Sequence, residues 1–424
     1  MATPTQDAQP PRSANEEPTR EEDVHTEFVE DDDDDDDDYL EGDAEIELGF
    51  VSDFVVGESH LGGAFANWDG GKVGGLPVWL DPNTQLEVPC VCEKNMSFLL
   101  QIYCPLDAPA AAFHRSLYVF CCRTKGCPKL GHARAFRIQL PRENPFYSDK
   151  EEDEWRDTTA VKPIKRCAVC GLRGKFACSA CHVAQYCSKE HQKDHWKHGH
   201  KTDCPASAQA QKVVVSPTHA EAIENDGTAY IFPEYAIQIE HEPDRTVAQN
   251  ESEARMMEAF EQANQNRTAA GADSDVFTDD SEIDLSQKDL AQMLGTTAQD
   301  KAYVGFLTRV ALAKDQVLRY CRWDEDEPVL WVHSGSKASS GDIPCCSVCR
   351  EPRSFEFQIM PQLLYHLKIA TDLDALQNGA STNDLDWGTL VVYTCPNSCS
   401  LIGADSGVDV VEEFVWRQPP HELA

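Results

Sequence analysis

The sequence predicts a mainly β protein of the α+β class, built from a duplicated β module that zinc closes in each half. A pattern of four identities recurs in the two halves of the chain, and most of the 18 cysteines lie close to another cysteine. A segment rich in cysteine and histidine separates the two copies, and an acidic segment precedes them. The predicted architecture is therefore two copies packed together, an inserted zinc finger and a disordered acidic tail.

The acidic tail is predicted over residues 1–45. Residues 1–48 hold 20 acidic and two basic side chains, so half of the chain's net charge of −36 lies in about a ninth of its length. The eight aspartates at 31–38 repel one another, and too few apolar residues accompany them to offset that repulsion. We therefore expect this segment to be disordered.

The 424 residues are enough for two or three domains. No stretch reaches the roughly 20 apolar residues of a membrane span, and the N-terminus lacks the pattern of a signal peptide. We expect a monomer in the cytoplasm, with the nucleus as a second compartment and no membrane contact. In such a reducing compartment, closely spaced cysteines indicate metal ligation rather than disulfides.

The first copy of the repeat is predicted over residues 46–150, and residues 286–424 are predicted to hold a helix and the second copy. "CEKNMSFLLQIY" and "CREPRSFEFQIM" place the same four residue types at the same offsets from Cys92 and Cys349. Each copy follows a Pro-Val pair and a tryptophan, and each ends in a β-rich run with paired cysteines. The apolar spacing of "DKAYVGFLTRVALAKDQVLRY" predicts one helix ahead of the second copy. The shared residues are Ser97, Phe98, Gln101 and Ile102 in the first copy, and Ser354, Phe355, Gln358 and Ile359 in the second.

Each copy offers one set of zinc ligands. In the second copy the predicted ligands are Cys346, Cys349, Cys395 and Cys399. The first copy has five thiols for four places, and we select Cys92, Cys122 and Cys127, with Cys90 as the fourth and Cys121 left out. Cys104 and Cys321 are predicted to be ordinary buried thiols.

Two connecting segments complete the predicted organisation. Residues 205–240 are predicted to be a linker followed by a strand, "YIFPEYAIQIE", which joins the core. Residues 241–285 are acidic and polar, and this composition predicts a mobile linker.

The zinc finger is predicted over residues 165–204, with the sequence "CAVCGLRGKFACSACHVAQYCSKEHQKDHWKHGHKTDC" at its centre. Eight donors make two tetrahedral zinc sites with no position for water, so the sites are predicted to be structural. The spacing alone leaves open which pairs share a metal. We expect the neighbouring histidines His182, His195 and His198 to be exposed rather than ligands. The four donor pairs are Cys167 and Cys170, Cys178 and Cys181, Cys187 and His191, and His200 and Cys204.

The segment resembles the MYND zinc finger in Tyr186, Gln192 and Trp196, which lie beside the fifth, sixth and seventh donors. His191 departs from the pattern, because most MYND fingers have cysteine there. The resemblance implies binding of proline-rich peptides, for which we expect Tyr186, Gln192 and Trp196 to lie at the surface. It also implies that the donor pairs interleave, with Cys167, Cys170, Cys187 and His191 on one zinc and Cys178, Cys181, His200 and Cys204 on the other.

The finger is too weakly basic for nucleic acid. Its eight basic and three acidic side chains give +5, which six thiolates and two zinc ions reduce to about +3. Proteins that read DNA present a denser basic face. We therefore expect no direct nucleic-acid contact.

Most of the chain outside the tail and the linkers resembles the programmed cell death protein 2 family, in "ELGFV", "KVGGLPVWL", "SFLLQIYCPL", "FEFQIMPQLL" and "EEFVWRQ". Relatives usually have C-x-x-C where this chain has Cys90-Val91-Cys92. The resemblance implies a dedicated chaperone of a basic small-subunit ribosomal protein of the universal uS-five type, which supports 40S subunit assembly and rRNA maturation. The chain's excess of negative charge suits a basic client.

A second function stays open, that of an adaptor in transcriptional or cell-death regulation that binds proline-rich partners through the finger. An enzyme is not expected, because the sequence has no phosphate loop, nucleophile elbow or open metal position. His114 lies near Cys121 and Cys122, but we interpret this as coincidence.

Overall fold

The computed structural model describes residues 46–52, 71–147, 162–206, 231–243, 300–324, 328–367, 385–400 and 409–420. The predicted tail and nearly all of the predicted linker over 241–285 lie outside the described residues. No helix in these ranges is long and apolar enough to cross a membrane.

Ten antiparallel strands in the described ranges close into one barrel, in the order β1-β8-β2-β3-β4-β5-β12-β11-β10-β9. Their sequences, such as "HRSLYVFC" and "TLVVYT", are rich in the β-branched and aromatic residues that favour strands. A separate two-stranded sheet, β6-β7, belongs to the finger. The strands are β1 Glu47–Ser52, β2 Gly71–Val73, β3 Ser97–Tyr103, β4 His114–Cys121, β5 Ala133–Leu140, β6 Phe176–Ala177, β7 Gln185–Tyr186, β8 Tyr235–His241, β9 Gln316–Tyr320, β10 Ser354–Ile359, β11 Thr389–Thr394 and β12 Val410–Gln418.

The two halves exchange their first strands. β1 precedes β2–β5 in the chain but pairs with β9, and β8 precedes β9–β12 but pairs with β2. β1 and β8 also pair with each other, so that Gly49 faces Ile239. On the opposite side, β5 pairs with β12, where Arg137 faces Val411. The duplicated halves therefore meet at two antiparallel seams and enclose a shared interior.

The barrel interior is mainly apolar and draws on both halves. Leu117 and Val119 from β4 share one buried cluster with Leu390 and Val392 from β11 and with Trp387. The mainly β class and the packing of the two copies are thus confirmed, and the packing takes the form of one continuous sheet.

The repeated glutamine performs the same task in each half. Gln101 Oε1 accepts the backbone N–H of Val78 at 2.8 Å, and Gln358 Oε1 accepts that of Leu330 at 2.9 Å. Val78 and Leu330 each directly precede the tryptophan of the repeat. A buried N–H needs such a partner, which explains why glutamine recurs at this position.

In the described ranges the helices are few and short. They are α1 Lys189–His195, α2 Lys201–Asp203, α3 Lys301–Val310 and α4 Leu363–His366, with a 3-10 turn at Ala110–Ala112 and a π turn at Trp196–His200. Asp300 caps α3, since its carboxylate accepts the N–H of Ala302 at 2.9 Å.

The single helix predicted over "DKAYVGFLTRVALAKDQVLRY" is wrong in its second half. α3 ends at Val310, and Gln316–Tyr320 forms β9 instead. All five residues of β9 are buried, between β1 on one side and β10 on the other. Strand pairing on both sides thus outweighs the helical spacing of the sequence.

Candidate zinc centres

Four sets of four side chains lie in the geometry of metal sites. Within each set, the donor atoms all lie within 4.8 Å of one another, in a search of the described residues. The structure thus brings together the ligand sets that the sequence suggests, including Cys90 in the first copy and the interleaved pairing in the finger. The sets are Cys90, Cys92, Cys122 and Cys127; Cys167, Cys170, Cys187 and His191; Cys178, Cys181, His200 and Cys204; and Cys346, Cys349, Cys395 and Cys399.

The distances between donors fit zinc. A tetrahedron with Zn–S bonds of about 2.3 Å has edges of about 3.8 Å. The Sγ atoms of Cys90 and Cys127 are 3.7 Å apart, and those of Cys349 and Cys395 are 3.6 Å apart. A disulfide would need about 2.05 Å. The donor sets therefore suit zinc, the cofactor of this protein.

A shared backbone turn shapes four close cysteine pairs, which we call knuckles. They are Cys90 and Cys92, Cys167 and Cys170, Cys178 and Cys181, and Cys346 and Cys349. The residue after the second cysteine of each knuckle has a left-handed φ: 64° at Glu93, 70° at Gly171, 57° at His182 and 69° at Arg350. A non-glycine residue pays a steric cost there, so the repetition indicates a common requirement of the turn. The first knuckle keeps this turn although Cys90 and Cys92 are separated by one residue instead of two.

Backbone N–H groups stabilise thiolates at these turns. At Cys349, hydrogen bonding from the backbone of Glu351 lowers the thiol pKa to about 6. Burial opposes ionisation of Cys92, but hydrogen bonds led by the backbone N–H of Lys94 outweigh it and lower the pKa to about 7. Because zinc binds the thiolate, the backbone at Cys92 and Cys349 favours the form that the metal requires at these two positions.

His191 faces two thiols of its set. Its Nδ1 lies 3.3 Å from Cys187 Sγ and 3.4 Å from Cys167 Sγ. Burial opposes protonation of this ring, but the two thiols outweigh burial and raise the pKa of His191 to about 9. Ser188 caps α1 by accepting the N–H of His191 at 3.1 Å, which fixes the start of the helix that carries the ring.

The three other finger histidines lie outside the donor sets. His195 Nδ1 lies 3.0 Å from the hydroxyl of Tyr186, and His198 lies 3.2 Å from a carboxylate oxygen of Asp194. His182 is exposed and occupies one of the left-handed turn positions.

One expectation for the finger surface needs correction. Tyr186 is fully buried, with 0% exposure, and its hydroxyl contacts His195 instead of solvent. Trp196 is 39% exposed and Gln192 is half-buried. Of the three residues expected at the surface, Trp196 is thus the most available to a partner, while Tyr186 supports the finger from inside.

The remaining cysteines lie outside these sets, although Cys121 and Cys345 directly precede the donors Cys122 and Cys346. Cys121 is fully buried at the end of β4, where burial raises its thiol pKa to about 12. Cys104 Sγ lies 3.0 Å from Nη1 of Arg115, and Cys321 Sγ lies 3.1 Å from Nη1 of Arg319. These two buried thiols accept hydrogen bonds from arginine.

A buried ionic network inside the barrel was not anticipated from the sequence. Arg115 and Glu356 are both fully buried and form a bidentate pair with N–O distances of 2.5 and 2.8 Å. Tyr320 and Thr394 also donate to the Glu356 carboxylate. Burial raises the pKa of Glu356, but attraction to Arg115 and these hydrogen bonds outweigh burial and hold it below its usual value. The alternation of "FEFQI" makes Glu356 look like a residue on the outward face of its strand. The strand pairing shifts register between Phe355 and Phe357, and this shift hides the inward direction of Glu356.

A second buried network ties the C-terminal zinc set to the seam between β5 and β12. Arg137 on β5 donates to Glu413 at 2.8 Å and to the carbonyl of Cys399 at 2.8 Å. Arg353 also donates to Glu413, at 2.8 Å, and to the carbonyl of Pro344 at 2.7 Å. The loops that carry the cysteines of one half are thus held by side chains of both halves.

The finger packs on the N-terminal half through its first zinc set. The N–H of Arg173 donates to the carbonyl of Leu86 at 3.0 Å, and a Cβ at Gly171 would meet Pro77 at 3.0 Å. Leu172 is buried in one cluster with Trp79 and Val88. All four donors of the first set are buried, whereas in the second set three donors are buried and Cys181 is partly exposed. The two finger centres therefore differ: the knuckle of the first packs on the N-terminal half, and one donor of the second, Cys181, reaches solvent.

Comparisons with known proteins agree with this architecture. Residues 45–154 match the model of the programmed cell death protein 2 N-terminal domain, residues 167–204 that of the MYND finger, and residues 300–419 that of the programmed cell death protein 2 C-terminal putative domain. The chain is 35% identical to programmed cell death protein 2 of Bos taurus over 362 residues, which are 82% of this chain and 90% of the relative. It is 36% identical to the Rattus norvegicus protein of that name over 360 residues, with the same coverage, and 25% identical to programmed cell death protein 2-like of Homo sapiens over 376 residues, 84% and 92% of the two chains. No solved structure matches.

Proposed function

Because the chain belongs to the programmed cell death protein 2 family, we propose that it escorts a basic ribosomal protein of the small subunit, of the universal uS-five type. The escort keeps this client soluble before assembly and so supports 40S subunit assembly and rRNA maturation. In this proposal the chain acts as a monomer in the cytoplasm, and the nucleus is its second compartment.

The charge balance of the chain is the observation that carries this proposal. Residues 165–204 carry eight basic and three acidic side chains, a charge of +5. Because the net charge of the chain is −36, the other residues together carry −41. A ribosomal protein is built to lie on RNA, and before assembly it binds any polyanion that it meets. A partner that masks it needs negative charge, and this chain has that charge outside the finger.

The proposed role is not catalytic. Each of the four sets offers four protein donors, which fill the coordination sphere of tetrahedral zinc and leave no place for a water. When bound, zinc supplies folding free energy to the knuckles. The residues of these sets hold loops in place and bind no substrate.

The alternative function is that of an adaptor that binds proline-rich partners through the finger. The exposure of Trp196, at 39%, favours it, because exposed aromatic rings provide grooves for such peptides. Deleting the finger would not separate the two functions, since Leu172 is buried against the N-terminal half and deletion would uncover that face. The substitution Trp196→Ala removes the exposed ring and leaves Leu172 in place, and zinc content is measured with it because the ring also lies 5.9 Å from that of His200.

Co-expression tests the escort function. The full-length chain is expressed with the uS-five-type client, and the soluble yield and the complex are measured after nuclease treatment that removes RNA bridges. A second basic ribosomal protein of similar charge is the control client. We expect the chain to solubilise the first client selectively, and Trp196→Ala to leave this effect unchanged. Equal solubilisation of both clients, or of neither, would contradict the proposal, and loss of the effect with Trp196→Ala would favour the adaptor.

A further inference from the structure

Four exposed lysines follow one another at intervals of four residues through the helical part of the finger: Lys189, Lys193, Lys197 and Lys201. Residues four apart lie on one face of a helix. The helical dihedrals of α1 continue through Trp196, and the break comes at His198 and Gly199. The first three lysines therefore form one row, which we name the lysine stripe, and Lys201 follows the break.

The carboxylates of the finger do not neutralise this stripe. Glu190 pairs with Lys94 of the N-terminal knuckle at 3.6 Å, and Asp194 pairs with His198 at 3.2 Å. Within the described part of the chain, no ion pair includes a lysine of the stripe. Three neighbouring positive charges are thus left to solvent or to a partner.

The surroundings make this stripe unusual for the molecule. The finger carries +5 in a chain whose other residues sum to −41. With six thiolates and two zinc ions the finger retains about +3. The stripe is therefore a row of positive charge on a chain of strongly negative net charge, and it attracts acidic ligands that a negatively charged surface repels.

The stripe is also held rigidly. The finger is fixed to the N-terminal half by Arg173, whose N–H bonds Leu86, and by Lys175, whose Nζ lies 2.7 Å from Glu87. α1 itself begins at the capped Ser188, next to the first zinc set. A ligand would meet three lysines on a helix whose position is already set, which lowers the entropy lost on binding.

The spacing of the stripe selects an extended acidic peptide. Lysines four apart on a helix are separated by about 6 Å along its axis, and alternate residues of an extended chain by about 6.6 Å. A peptide with Asp or Glu at every second position would place successive carboxylates opposite successive lysines. We propose that the lysine stripe binds an acidic segment of a partner protein with this alternating pattern.

RNA fits the same charges less well. A nucleic acid extends its negative charge over many nucleotides, and binding gains strength from many phosphate contacts. Beyond the finger such a ligand would meet a protein whose other residues together carry −41. A short acidic peptide satisfies the stripe and ends before that repulsion grows.

Fluorescence anisotropy on the full-length, zinc-loaded chain tests this proposal. The probe is a labelled peptide of alternating aspartate and serine, compared with the same peptide carrying asparagine and with a single-stranded RNA oligonucleotide of equal charge. The test variant is K189Q/K193Q/K197Q. The control is K162Q/K314Q/K337Q, which removes the same charge from exposed lysines outside the finger.

We expect the stripe variant to lower the affinity for the aspartate peptide about tenfold, because exposed ion pairs each contribute little, and the control to stay within about twofold. The affinity of the unaltered chain should fall as salt rises. Zinc content and thermal stability equal to those of the unaltered chain establish that the variants are folded. Equal losses in the two variants, no binding of the aspartate peptide at low salt, or tighter binding of the RNA would each overturn the proposal.

Discussion

Arg115 on β4 and Glu356 on β10 form a bidentate ion pair that lies wholly inside the barrel and joins the two halves of the duplicated fold. Neither side chain reaches solvent. Buried charges are tolerated when they are paired and hydrogen-bonded, and here Tyr320 and Thr394 complete the shell of the carboxylate. Removing one partner would leave the other charged and unpaired in an apolar interior.

Glu356→Leu is therefore predicted to destabilise the chain by about 3–5 kcal/mol, because Arg115 would lose its counter-ion. Urea unfolding followed by circular dichroism measures the loss. The control is Glu412→Gln, which breaks the partly exposed pair with Arg134 and should cost less than about 1 kcal/mol. The double substitution Arg115→Met with Glu356→Leu should be less harmful than Glu356→Leu alone. Equal effects of the buried and the exposed substitution would contradict this account of the barrel interior.

The ion pairs of Glu242 predict how the stability of the chain depends on pH. It lies just after β8, and its carboxylate accepts from Arg309 of α3 at 2.7 Å and from Arg319 of β9 at 3.4 Å. Burial raises the pKa of Glu242, but Arg309 and Arg319 outweigh burial and lower it below the usual 4.5. A lowered carboxyl pKa contributes stability that is complete above the unfolded value and is lost as the pH falls through the folded value.

The difference in unfolding free energy between the unaltered chain and Glu242→Gln should thus be constant from pH 7 to about pH 5, at about 1.5–3 kcal/mol. It should shrink below pH 4.5. Taking the difference cancels the loss of zinc that acid causes in both proteins. A difference that grows as the pH falls would have the wrong sign for a stabilised carboxylate.

The two zinc centres of the finger should respond differently to loss of one ligand. His191→Ala disrupts the set whose knuckle packs on the N-terminal half, and Cys181→Ser disrupts the set in which Cys181 is partly exposed. Because Gly171 and Leu172 of the first knuckle pack on the N-terminal half, only the first change should release the finger. Hydrogen exchange should then increase at residues 76–88 in His191→Ala but not in Cys181→Ser. Increased exchange in both variants, or in neither, would show that the first centre does not hold the interface.

The sequence predicts the zinc chemistry of this protein better than its barrel. Knuckle spacing is local, so it identifies sets such as Cys346, Cys349, Cys395 and Cys399 before any fold is known. The exchange of β1 and β8 between the halves depends on pairing between distant segments, and no local pattern encodes it. The same reason hides Glu356, whose partner Arg115 lies 241 positions away. The sequence predicts a helix over β9, because the neighbours that decide its conformation, β1 and β10, are distant in the chain.

Cys349→Ser should remove one zinc ion and lower the thermal stability. The site would lose one of its four ligands, and with it the metal that holds the turn at Arg350. Cys345→Ser is the matched control, because Cys345 is exposed and lies outside the donor set. Metal analysis and thermal unfolding of both variants distinguish a ligand from a neighbouring thiol. Equal zinc contents in the two variants would count against the C-terminal centre.

The zinc stoichiometry of the purified full-length chain, determined by native mass spectrometry, tests most directly whether metal closes both copies of the repeat. Four donor sets lie in the described residues, two in the finger and one in each half of the barrel. The account predicts four zinc ions per chain. Two ions, or three, would mean that at least one half of the barrel is held by strand pairing and packing without metal, and would contradict the duplicated zinc-closed architecture.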